Sequence, residues 1–106
     1  MPSLMPSAGY SITVRMAVPA DPSAVGRLTT AVGDAGAVVT ALDVVDSDHQ
    51  RVVVDVTCDT ADGAHADRVV TTLRALAGVE VRKVSDRTFL LHLGGKIEVT
   101  PKVALR

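Results

Sequence analysis

Two short stretches of strict alternation constrain this chain more than any other feature. In "SITVRMAV", Ile12, Val14, Met16 and Val18 face one way, while Ser11, Thr13 and Arg15 face the other. In "RVVVDVTC", Val52, Val54, Val56 and Cys58 form a second inward row. A period of two marks half-buried strands, so the sheet they join needs a cover for one face only.

Helical spacing supplies that cover. After "SITVRMAV" the segment "PADP" breaks the strand, and Asp21 followed by Pro22 reads as a helix start, with Asp21 as N-cap and proline at the first helical position. Val25, Leu28, Val32 and Ala35 then recur at intervals of three and four, and Gly36 stops the helix. A second helix is expected from about Asp62, with Ala66, Val69, Val70, Leu73, Leu76 and Ala77 on one stripe and Gly78 as its stop. Between the helices, "AVVTALDVV" is a strand whose alternation slips. Ala37 and Val39 share a face, as do Leu42 and Val44, which predicts a bulge near Thr40 and Ala41. "DSDHQ" is a polar turn, "VEVRKVSD" a fourth strand, and "TFLLHL" a fifth extended run with Phe89, Leu91 and Leu93 on one side.

The order is β-α-β-β-α-β plus an extra C-terminal strand. The expected class is α+β, a ferredoxin-like sandwich with an antiparallel sheet and both helices on one face. Three parts are expected: a flexible leader over 1–10, a domain over 11–86, and an extra strand and linker over 87–106.

Composition narrows the partners. The chain has 106 residues, enough for one modest core, and only 2% are aromatic. Nineteen valines therefore make the core aliphatic and bias it toward strands. A formal net charge of -1 offers no basic field for nucleic acid or an anionic membrane. No apolar run approaches the roughly 20 residues that span a bilayer, and "MPSLMPSAGY" lacks the features of a secretory signal. A lone cysteine, Cys58, forms no internal disulfide and fits a cytoplasmic protein.

Little in the chain suggests catalysis. "LGGK" is followed by Ile97 rather than the Ser or Thr of a phosphate loop, and the run behind it is poor helix material. His49, His65 and His92 are isolated, each expected in a solvated or interface role rather than on a metal. Asp43, Asp46, Asp48 and Asp55 gather around one hairpin without calcium-loop spacing. A small free-standing phosphatase on this fold needs an asparagine to orient water, and the chain has none. The strand-to-helix break "VPADPSAVGRL" is the one physical candidate, because a helix N-terminus attracts a carboxylate or other anion. Gly36 is expected to lie near it, at an edge of the sheet.

The stretch "VPADPSAVGRL…AGAVVTALDV", in its β-α-β-β-α-β frame, resembles the ACT domain, a small regulatory module for amino acids and similar metabolites. That resemblance implies a ligand site at a subunit interface, formed here by Ala20, Asp21, Pro22, Ser23 and Ala24 together with Gly36, Ala37 and Val38. Ser23 stands where the family often has glycine, and some such domains serve only in assembly. The tail "SDRTFLLHLGGKIEVTPKVALR" is similar to the segment joining an N-terminal ACT domain to the catalytic part of bacterial NAD-dependent malic enzymes. The resemblance implies a regulatory piece without activity of its own, with NAD and a divalent metal expected only in the missing catalytic domain. It also implies a small-molecule effector and a homodimer or larger homo-oligomer through sheet edges or helices. A purely structural dimerisation module without a ligand is the alternative.

Overall fold

The structure, a computed structural model, describes residues 9–86. It contains β1 (Tyr10–Pro19), α1 (Ala24–Asp34), β2 (Val38–Ser47), β3 (Arg51–Thr60), α2 (Gly63–Arg74) and β4 (Glu80–Asp86). The strands form one sheet in the order β2-β3-β1-β4, with every neighbouring pair antiparallel. Four antiparallel strands and two helices make an α+β fold compatible with a ferredoxin-like one. The expected leader falls outside the described residues except for its last two positions, of which Tyr10 already belongs to β1. The extra strand and linker, with His92, also lie outside them.

The alternation of β1 and β3 appears as burial. Ile12, Val14, Met16 and Val18 pair in register with Cys58, Val56, Val54 and Val52, and all but the half-buried Val52 are at most 2% exposed. Leu28 and Val32 from α1 and Val69 and Leu73 from α2 close over this row with no exposed surface. Each such aliphatic side chain contributes about 1.5–3 kcal/mol through removal from water. Cys58 continues the row, and burial pushes its thiol pKa up to about 11, which leaves it a small hydrophobe rather than a nucleophile.

Several boundaries differ from the sequence reading. The N-cap of α1 is Ser23, not Asp21, and it makes no side-chain cap bond. Asp21 instead accepts the Ser23 N–H at 2.9 Å from two residues upstream, in a turn preceding the helix. The buried stripe of α1 is Ala24, Leu28, Ala31 and Val32, with Val25 and Ala35 only half-buried. The stripe is rotated because α1 faces both the sheet and α2. The second helix begins where expected, with Asp62 as its N-cap, but it stops at Arg74, ahead of Gly78, and Ala77 is exposed. Gly78 serves the following turn, where its φ of +80° suits glycine.

The bulge expected in β2 is present at Thr40, between the pairs Val39–Cys58 and Ala41–Thr57. A second, at Val45, separates Val44–Val54 from Asp46–Val53, and a third in β4 leaves Arg82 without a partner across β1. The doublet Val44-Val45 hides its bulge from a periodicity argument, since both residues are apolar. Both are also exposed, at 60% and 44%, because β2 runs beyond the helical cover.

Candidate functional site

The strand-to-helix break lies at one end of the sheet and is held by local hydrogen bonds. The Ala20 N–H donates to the Gln50 carbonyl at 3.0 Å, which ties the break to the β2–β3 turn. Asp21 Oδ1 accepts from the Ser23 N–H at 2.9 Å and from the Ser23 hydroxyl at 3.1 Å. Arg27 donates to Ser23 Oγ at 2.6 Å and places its guanidinium 3.7 Å from Asp21 Oδ2. These donors, the Ser23 N–H foremost, hold the Asp21 carboxyl below the ordinary carboxylate range. In the adjoining turn, Asp48 accepts the N–H groups of Gln50 and Arg51 at 2.7 and 2.9 Å, with the same effect on its carboxyl. Ala20, Asp21, Pro22 and Ser23 are exposed, whereas Ala24 is buried beneath them.

Gly36, Ala37 and Val38 lie at the opposite end. An α-helix rises about 1.5 Å per residue, so the 11 residues of α1 separate the two groups by roughly 16 Å. The sheet agrees: Val38 pairs with Asp59 beside the start of β1, whereas Pro19 pairs with Arg51 at its far end. The structure therefore brings Ala20–Ala24 together and Gly36–Val38 together, but not the two groups within one chain. The expectation that the break and Gly36 are neighbours fails because both ends of one helix cannot occupy one place.

The Gly36 end contains a residue whose part the sequence reading missed. His65 is only 7% exposed, not solvated. Its Nδ1 accepts the Ala61 N–H at 2.9 Å, which leaves Nε2 to carry the proton and donate to the Ala35 carbonyl at 2.7 Å. Its own N–H reaches Asp62 Oδ1 at 2.8 Å. One imidazole thus joins the C-terminus of α1 to the N-terminus of α2. Gly36, with φ at +86°, lies against the ring: a Cβ there would lie 3.5 Å from Nε2. The fully buried Thr60 hydroxyl donates to the Tyr10 carbonyl at 2.7 Å, and a hydrogen bond to Asp86 raises the Tyr10 phenol pKa. The sequence signal was Asp62-x-x-His65, which has capping-box spacing with histidine in place of Glu or Gln.

Among the described residues no three His, Cys, Asp or Glu side chains converge as a metal site. None of their helices is long and apolar enough to cross a membrane. Fold and site together define a small α+β sandwich with one hydrogen-bonded loop end and one end fastened by a buried histidine. No family model matches the chain. The chain is similar to the NAD-dependent malic enzyme of Geobacillus stearothermophilus, with 34% identity over 99 residues. That alignment takes in 93% of this chain but 21% of the relative, so the chain spans about a fifth of that enzyme's length.

Proposed function

We propose that this chain is an ACT-like regulatory domain of an NAD-dependent malic enzyme, acting in the cytoplasm by binding a small amino acid or metabolite and by self-association. The observation that carries the reading is the 34% identity with a short region of a malic enzyme, running through nearly all of this chain. The parent reaction is then the oxidative decarboxylation of malate to pyruvate with NAD. In this reading NAD and the divalent metal belong to the catalytic part of the parent enzyme. No step of the reaction falls to this chain.

In this reading the ligand lies between two copies. Ala20–Ala24 and Gly36–Val38 sit at opposite ends of α1, so a second copy running antiparallel beside it sets the loop of one against the glycine of the other. The exposed edge strand β2, with Val44 and Val45 uncovered, offers the flank for such pairing. An effector acts by favouring one arrangement of the pair over another, to the extent of its differential affinity.

One observation favours the alternative of an assembly module without a ligand. Asp21 already occupies the Ser23 N–H that an incoming carboxylate would seek. Thermal unfolding and calorimetric titration with a panel of amino acids and central metabolites decide between them. A ligand at 100 times its Kd stabilises the fold by about 2.7 kcal/mol. A raised Tm with measurable heat supports the regulatory reading; no shift and no heat with any compound leaves the assembly module.

A further inference from the structure

The helix-free face of the sheet carries one unusual row. Asp43 on β2 stands opposite Asp55 on β3, Asp55 opposite Arg15 on β1, and Arg15 opposite Lys83 on β4. Paired residues of an antiparallel ladder point to one side. The neighbours of Arg15 and Asp55 along their strands, Val14, Met16, Val54 and Val56, are buried beneath the helices. The four charges therefore share the face that carries no helix among the described residues, and they read minus, minus, plus, plus across it.

The inner two charges satisfy each other. Arg15 Nε and Nη2 donate to the two oxygens of Asp55 at 2.8 and 3.0 Å, a two-pronged pair that raises the Arg15 pKa. The outer two, Asp43 and Lys83, have no ion-pair partner among the described residues. The adjoining row is small and neutral: Thr13 and Thr57 share a 2.8 Å hydrogen bond between Ala41 and Ser85. On the other side Glu80 is already held by Arg51 and Arg82 at 3.4 and 3.5 Å.

We propose that this face docks a second copy of the chain, sheet face to sheet face, about a two-fold axis parallel to the strands. That rotation reverses the strand order of the facing copy and keeps its rows in line. Asp43 of each copy then meets Lys83 of the other, and each Arg15–Asp55 pair meets its own reverse. A row of two negative and two positive charges is complementary to itself under this operation, as a two-fold contact requires. The surface is distinct from the β2 edge and independent of any ligand. Four strands at about 4.8 Å spacing make it smaller than a standard interface, so the contact is weak and its strength depends on salt.

Sedimentation equilibrium of the full chain tests it. Raising salt well above about 0.1 M, where charges are screened beyond ~10 Å, weakens the wild-type association. Asp43→Lys and Lys83→Asp each turn two attractive contacts per dimer into repulsive ones, so each variant alone associates about tenfold more weakly. In an equimolar mixture of the two variants every 43–83 contact across the axis is again between opposite charges, and association returns. Wild-type behaviour in either single variant, or a mixture no stronger than its parts, overturns the face contact. Association that ignores both charge changes yet is lost in Val44→Asp also overturns it, while leaving the edge pairing of the proposed function intact.

Discussion

The two ends of the sandwich are fastened by different means. At the Gly36 end the fasteners are buried and tie together segments far apart in sequence: His65 to Ala35, and Thr60 to Tyr10. At the Asp21 end the side-chain fasteners are exposed and local, spanning two to four residues around Asp21, Ser23, Arg27 and Asp48, and the one longer tie is the backbone bond from Ala20 to Gln50. Buried polar ties are costly to break because the orphaned groups find no water. Exposed ones exchange with water at little net cost. Breaking the first end therefore costs more stability than breaking the second.

The sharpest way to break this comparison is His65→Leu. It keeps the bulk of the ring but strands the Ala35 carbonyl and the Ala61 N–H, at about 2–4 kcal/mol. For a domain of this size that lowers Tm by roughly 10–25 °C, read by circular dichroism. A fall no larger than that of Asp21→Ala would show that the two ends are equally fastened.

A smaller effect separates the two helix starts. Asp62→Ala removes the side chain that accepts the His65 N–H, at about 1 kcal/mol. Asp21→Ala, on the exposed turn, stays within the scatter of ordinary surface changes. Chemical denaturation of both variants gives the order, and a reversed order refutes the contrast.

The smallest effect is acid dependence. Asp21 and Asp48 are held below the ordinary carboxylate range in the folded chain, chiefly by backbone N–H donors. The unfolded chain therefore takes up their protons first as pH falls. Their contribution is full above the ordinary carboxylate range and fades as pH drops through it to the folded values. The wild type should lose slightly more stability than Asp21→Ala/Asp48→Ala on acidification across that window. Parallel pH profiles of the two proteins would remove these carboxylates from the account.

How much of this was legible in the sequence follows from the range of each interaction. The strands β1 and β3 were legible because alternation is local and their burial repeats it residue by residue. The Thr40 bulge was legible because an apolar pattern slipped there; the one at Val45 was not, since two valines in succession leave no slip to see. Cys58 was placed correctly as the last inward residue of its row. His65 was misjudged because its role depends on the Ala35 carbonyl 30 residues away, a contact that no periodicity encodes. The candidate ligand residues were split between two ends, which the length of α1 alone would have revealed.

The bulges at Thr40 and Val45 leave Ala41 to Val44 as the only uninterrupted stretch at the centre of β2. A flat edge ten residues long would accept strand after strand and grow without limit. Four regular residues between two kinks give a landing strip for one short partner strand, after which the twist carries the backbone out of reach. In the proposed pairing of two copies, these kinks confine contact along this strand to a short segment and deny the long flat edge that a fibre needs.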